Sequence, residues 1–169
     1  MRQEQGYTLL DTALTATLLC MLLPPALNGI ATFYRNNQLA TTSNAMLGIL
    51  NTARFEAVSQ KKPVSICSGT TQCLTTRDWK NQIIIFTDSN QNGLVDGDDK
   101  ILLAKNIGNG NSWTWKSFRK RHHLTYKADG MTAALNGTLT DCHDKSSQRA
   151  IIVNLAGRPR LEKRSPSKC

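Results

Sequence analysis

The chain is read as an α+β protein, with one long N-terminal helix, half apolar and half amphipathic, packed on an antiparallel β-sheet. Three observations point there. Residues 7–34 are predominantly apolar. Residues 39–58 then repeat their apolar side chains at helical spacing. After Pro63 the pattern changes to short apolar runs separated by Gly, Asn and Asp.

The helix comes first. A polar leader, residues 1–6, precedes Leu9, Leu10, Leu14, Leu18, Leu19, Met21, Leu22, Leu23, Leu27, Ile30 and Phe33. A bilayer core needs about 20 apolar residues, so residues 7–34 are expected as a transmembrane and assembly helix. The leader holds only Arg2 and Glu4 as charges, and no small-residue cleavage site follows the apolar core, which is wrong for an ordinary secretory signal. Gly6 stands immediately before the run and Asp11 inside it. A carboxylate costs roughly 2.5–3.5 kcal/mol at a bilayer centre. Asp11 therefore either lies at the solvated interface or pairs with a positive group, such as the free N-terminal amine of a neighbouring chain. Pro24-Pro25 is expected to kink or open the helix. Leu39, Ser43, Met46, Leu47, Leu50, Ala53, Ala57 and Val58 continue it as an amphipathic spine, and Lys61-Lys62-Pro63 stops it.

Residues 35–156 are expected as the globular domain. Its strand candidates are Val64 and Ile66, Ile83 to Phe86, Ile101 to Leu103, Trp113 to Trp115, Leu124 to Tyr126 and Ile151 to Val153. Turn clusters fall at residues 90–97, 108–111 and 136–137. Asn136-Gly137-Thr138 satisfies a glycosylation pattern, but a turn is the better reading.

The formal net charge is +9 and its excess is local. Residues 116–127 hold Lys116, Arg119, Lys120, Arg121 and Lys127 with no acid; residues 149–169 hold six basic side chains against Glu162 alone. Together these stretches carry the whole excess. A local basic patch points to a polyanionic partner. Trp113, Trp115, Phe118 and Tyr126 lie among the first set, either stacking on bases or facing the core.

Three further patterns carry alternatives. Asp88, Asn90, Asn92 and Asp99 occupy positions 1, 3, 5 and 12 of a calcium-loop pattern, but Asp replaces the usual Glu and the setting reads as a hairpin turn. Cys20 is a small apolar residue of the anchor. Cys67 and Cys73 are spaced to close a small loop, leaving Cys142 to pair with Cys169, although four cysteines allow three connectivities. A zinc set of Cys67, Cys73, Cys142 and His143 lacks the usual spacing. No nucleophile elbow or phosphate loop is present, so neither an enzyme nor a cofactor is expected.

Gly6-Tyr7-Thr8-Leu9-Leu10-Asp11 resembles the processing motif of type IV prepilins and pseudopilins. Leu47 to Cys67, Trp79, Ile85-Phe86-Thr87-Asp88 and Asp99-Lys100-Ile101-Leu102 are similar to the GspH/FimT branch. The resemblance implies a type IV pilin-like fold. It implies cleavage after Gly6 by a prepilin peptidase, methylation of Tyr7, and Asp11 meeting a neighbour's N-terminus, with Tyr and Asp where the family usually has Phe and Glu. It places the chain in the inner membrane with a periplasmic domain before assembly, and at the pilus surface after it. Gly157-Arg158-Pro159-Arg160 looks like the Gly-Arg-x-Arg motif of FimT-like minor pilins, which is associated with binding incoming DNA during natural transformation. Arg158 and Arg160 would then contact double-stranded DNA. Gly157 would permit close approach, and Lys163, Arg164, Arg119, Lys120 and Arg121 would add phosphate contacts, with residues 157–169 a basic tail. The alternative within the family is a structural pseudopilin of type II secretion without a ligand.

Overall fold

The computed structural model describes residues 8–142 and 146–168, with the side chains of residues 22–28, 109–111, 146–148 and 165–168 outside that description. The helix α1 (Leu9–Gln60) is followed by β1 (Val64–Ser68), β2 (Asp78–Thr87), β3 (Ile101–Ser117), β4 (Leu124–Tyr126), β5 (Gly137–Cys142), β6 (Ser146–Val153) and β7 (Pro159–Lys168). The strands form one sheet in the order β4-β1-β2-β3-β5-β6-β7, every pairing antiparallel. The chain divides into two compact units after Ala40, and α1 contributes to both.

In the first unit the sequence caps its own helix. Thr8 N and Oγ1 donate to Asp11 Oδ2 at 3.1 and 2.9 Å, and Asp11 N donates to Thr8 Oγ1 at 3.3 Å. This capping box satisfies donors that the first turn otherwise leaves orphaned, and it sets a carboxylate against the positive end of the helix dipole. It is a role for Asp11 that neither sequence reading contained. The hydroxyls of Thr12, Thr15 and Thr17 donate to carbonyls three residues back, so these polar groups are satisfied within the helix. Leu9, Leu10, Leu14, Leu18, Leu19, Met21, Ile30 and Phe33 are exposed. Among the described residues no helix is long and apolar enough to cross a membrane. The expected span of residues 7–34 runs through residues 22–28, whose side chains lie outside the description, as do Gly6 and Tyr7 entirely.

In the second unit α1 turns Met46, Ile49, Leu50, Ala53 and Ala57 onto the sheet, a helical spacing that forms one apolar stripe. The sheet answers with Ile66, Ile85, Trp79, Trp113, Trp115 and Tyr126, all at most 1% exposed. The indole N–H groups of Trp79 and Trp115 donate to the carbonyls of His122 and His123, at 3.0 and 3.2 Å, so neither is stranded in the core. Lys61 adopts a left-handed conformation (φ 52°) directly after the last helical turn, and Pro63 prevents its continuation.

Three elements differ from the sequence reading. Residues 101–117 are one strand rather than two. The Gly-Asn cluster at 108–111 is a bulge, with Asn81 opposite Gly108 but Lys80 opposite Ser112. Gly and Asn suit a bulge as well as a turn, and their composition alone does not separate the two. β5 is a strand with no sequence signal, because Gly137–Cys142 has little apolar character. The expected basic tail is for the most part the edge strand β7, held by pairing Leu161 to Ile151 and Arg160 to Ile152.

Candidate nucleic-acid interface

The start of the first basic stretch and the start of β7 lie at the same end of the sheet. Ser117 ends β3, and Phe118 N donates to Asn136 O just before β5 at 3.0 Å. Beside β5 runs β6, which turns into β7 through residues 154–158. Pairing then aligns a row across four strands: Lys116 opposite Thr138, Thr138 opposite Ile152, Ile152 opposite Arg160. Directly paired residues share a face of a pleated sheet. Trp115, Leu139 and Ile151, next in sequence to the row, lie in the core under α1, so the row occupies the opposite, outer face. Lys116 and Arg160 are both exposed. A shallow depression of about 510 Å³ lies over the neighbouring ends of β5 and β6, with Asn136, Thr138, Ile152 and Asn154 in its lining.

The tight turn into β7 explains the motif's glycine. Gly157 N donates to Asn154 O at 2.9 Å, and Arg158 N donates to Asn154 Oδ1 at 2.9 Å. Gly157 is buried at φ +74°, where a Cβ would overlap the Gly130 carbonyl oxygen. Arg54 of α1 fixes the same corner, donating to Gly130 O at 3.0 Å and to Ala156 O at 3.3 Å. Gly157 is thus needed for packing, which launches Arg158 and Arg160 from a rigid base.

The expected cations do not all share the outer face. Strand alternation puts Arg160, Glu162 and Arg164 on it and turns Lys163 to the side of core-packed Leu161. Glu162 sits between its neighbours, 3.9 Å from Arg160 Nη2 and 3.8 Å from Arg164 Nε. Arg119, Lys120 and Arg121 are exposed on the connection after β3, where Lys120 takes a left-handed conformation (φ 56°). Lys116 and Glu162 were not singled out from sequence; the residues themselves were visible, but only pairing shows what they face.

A family model described as type II transport protein GspH matches residues 42–157, more than half of the chain. The chain belongs to this GspH family. Among solved structures, it is similar to the type IV minor pilin FimU of Pseudomonas aeruginosa, at 25% identity and a TM-score of 0.61, covering 81% of this chain and 98% of that one. A second crystal form of FimU matches at 24% identity with a TM-score of 0.59, covering 77% and 98%. No curated protein matches. The α+β pilin fold is thereby shown, in a family of structural subunits rather than enzymes. The GspH match stops at Gly157, so Arg158, Arg160 and all of β7 lie beyond it.

In this GspH-family chain the aromatics of the basic stretch are core. Trp113, Trp115 and Tyr126 are 0–1% exposed and unavailable to stack on bases; only Phe118, at 79%, is free to do so. The Tyr126 hydroxyl is buried without a hydrogen-bond partner among the described residues, and burial pushes its pKa up.

The side chains of the calcium-loop pattern bond to their own chain. Asp88 is buried and accepts from Ser65 Oγ at 2.6 Å, Gly93 N at 2.9 Å and Asn92 N at 3.0 Å. Asn90 and Asn92 turn their amides to Asp96, and Asp99 accepts from Ser89 N. Among the described residues no group of three His, Cys, Asp or Glu side chains comes together. Burial raises the Asp88 pKa, and its hydrogen bonds oppose that shift. The His123 ring lies against Gly93, and burial, then the charges of His122 and Arg121, lowers its pKa to about 4.

Cys67 and Cys73 form a disulfide, which removes both from any zinc set. Cys142 is also disulfide-bonded; its expected partner Cys169, and His143, lie outside the described residues. Cys20 is a free thiol.

Proposed function

We propose that this GspH-family chain is a FimT-like minor type IV pilin that binds double-stranded DNA without sequence preference, supporting uptake in natural transformation. The observation that carries it is the alignment of Lys116, from the first basic stretch, with Arg160 at the start of β7, beside Arg158 on a fixed turn. Guanidinium groups offer forked donors to phosphate oxygens, and phosphate contacts carry no sequence information. Arg158 and Arg160 are the principal contacts. Arg164, Arg119, Lys120 and Arg121 add to them, and Lys163 contributes least because it leans to the helix side. Before assembly the chain sits in the inner membrane with its globular domain in the periplasm. A prepilin peptidase cuts after Gly6 so that Tyr7 leads the mature chain, whose partners are other pilin subunits. The Cys142–Cys169 disulfide, in this reading, secures the end of β7.

The test is a gel shift of plasmid DNA at low salt with the full chain in neutral detergent. The parent protein retards the DNA, and the Arg158→Gln/Arg160→Gln double variant does not. Absence of a shift, or an unaffected double variant, ends the reading. Mass spectrometry of pilus-associated protein should show Tyr7 at the start; an intact Met1 would overturn the processing step.

A second reading, a structural pseudopilin of type II secretion, draws on the description of the matching family model. Deleting the gene separates the two: loss of exoprotein secretion with normal transformation favours the pseudopilin.

A further inference from the structure

The outer face of the sheet has two unlike halves. Over β1 and β2 it is covered: Cys67, Ile84 and Phe86 pack with Cys73 and Val95 from the loops above them. Over β3, β5, β6 and β7 the cross-strand row from Lys116 to Arg160 holds only half-buried Thr138 and Ile152 between two exposed cations. Three inter-strand steps of about 4.8 Å separate the backbones of Lys116 and Arg160 by about 14 Å. A lone phosphate is too small to engage both, whereas a polyanion laid across the strands meets each with a separate phosphate.

The face offers little of what a single strand would use. Trp113, Trp115 and Tyr126 are turned inward, and no aromatic side chain stands in the row. Phe118, exposed beside Asn136, is the one aromatic of the basic stretch left at the margin of the face, and a single ring is no platform for successive bases. What the face offers is charge, two amide side chains at its margin and a shallow floor. Glu162 complicates that charge. It lies one row further along the same face, shared between Arg160 and Arg164 at 3.9 and 3.8 Å. The side chains of Arg160, Glu162 and Arg164 are 74%, 43% and 40% exposed, so solvent screens these pairs and an incoming phosphate displaces the carboxylate at little cost.

We propose that the DNA contact is not confined to the Gly157–Arg160 turn but runs across the open outer face of β3, β5, β6 and β7, with Lys116 and Arg160 gripping separate phosphates of one duplex and Glu162 weakening the grip as a built-in counter-charge. This rests on the DNA-binding reading above and names two determinants, Lys116 and Glu162, to which that reading gives no contact. The occupant is a DNA duplex on grounds of charge complementarity and the missing stacking platform.

The experiment measures fluorescence anisotropy of a labelled 30-base-pair duplex, and of one of its strands, with the full chain in neutral detergent over a series of salt concentrations. Lys116→Gln is expected to weaken duplex binding about three- to tenfold at low salt and to make the salt slope shallower by roughly 0.9. Arg160→Gln should do the same. Glu162→Gln should tighten binding by about two- to fivefold. Lys62→Gln, just past the end of α1 and distant in sheet order, should change nothing, and the single strand should bind no more tightly than the duplex. Circular dichroism shows that each variant is folded. If the parent protein fails to bind, the DNA reading itself falls and takes this inference with it. If the parent binds and Arg160→Gln weakens it while Lys116→Gln behaves like Lys62→Gln, the DNA reading stands and the extended face is wrong. Tighter binding of the single strand, or a Glu162→Gln variant no tighter than the parent, likewise overturns the proposal.

Discussion

The two halves of the sheet's outer face are built from the same antiparallel ladder and put to opposite uses. Over β1 and β2, the Cys67–Cys73 loop and the residue 88–99 loop close the surface, with Asp88 buried beneath and the His123 ring against Gly93. Over β3, β5, β6 and β7 the row from Lys116 to Arg160 stays open, with an exposed cation at each end. The difference teaches that loops decide the fate of a sheet face. Long connections fold back where they carry buried anchors, and short turns such as residues 154–158 leave the face open. The edge strand β7 is charged and begins with Pro159, features that disfavour pairing of an edge with another chain.

Each half has a glycine at its pivot, and replacing them should give the largest effects. Gly93→Ala would drive a methyl group into the His123 ring and Gly157→Ala into the Gly130 carbonyl, both at positive φ. Each should cost about 3 kcal/mol in chemical denaturation. If Gly157→Ala instead keeps full stability and loses only DNA binding, Gly157 is a ligand-approach residue and the likeness of the two pivots is broken.

The covered half should also be acid-sensitive. His123 has its pKa lowered from 6.5 to about 4, so between those values the unfolded chain takes up a proton that the folded chain does not. Stability therefore falls as pH drops through that window, by up to about 3 kcal/mol. Asp88 acts with the opposite sign, because its raised pKa lets the folded state take up a proton first. Denaturation curves between pH 7 and 4, at roughly half-unit steps, should flatten in His123→Gln; an unchanged slope would assign the acid sensitivity elsewhere.

Opening the Cys67–Cys73 loop with Cys67→Ser/Cys73→Ser should cost about 2 kcal/mol by loop entropy and leave duplex affinity unchanged, since the loop covers the other half. A parallel loss of DNA binding would show that the halves are coupled. The smallest effect is expected from Lys163→Gln, with affinity changed by less than about twofold because strand alternation turns this residue away from Arg160. A loss as large as that of Arg160→Gln would place the contact on the rim of β7 rather than on the outer face.

Much of the architecture was legible in the residues. The apolar stripe through Met46, Leu50, Ala53 and Ala57, the helix stop at Lys61-Lys62-Pro63 and the apolar strands at Val64, Ile83, Leu124 and Ile151 follow from periodicity and composition. β5 and β7 did not, because small and charged side chains carry no strand period of their own and pair only where neighbouring strands supply the ladder. The local character of the +9 charge was likewise plain in the sequence. Which cations act together was not. That depends on register, and a shift of one residue in β7 would carry Arg160 to the helix side and Lys163 to the outer face. The sequence by itself determined the helix, the sheet's apolar lining and the amount and location of charge along the chain, since these rest on local periodicity. Only the tertiary structure decided that Lys116 and Arg160 share a face, that Trp113 and Trp115 are core, and that Gly157 serves packing, because each depends on a partner distant in the chain.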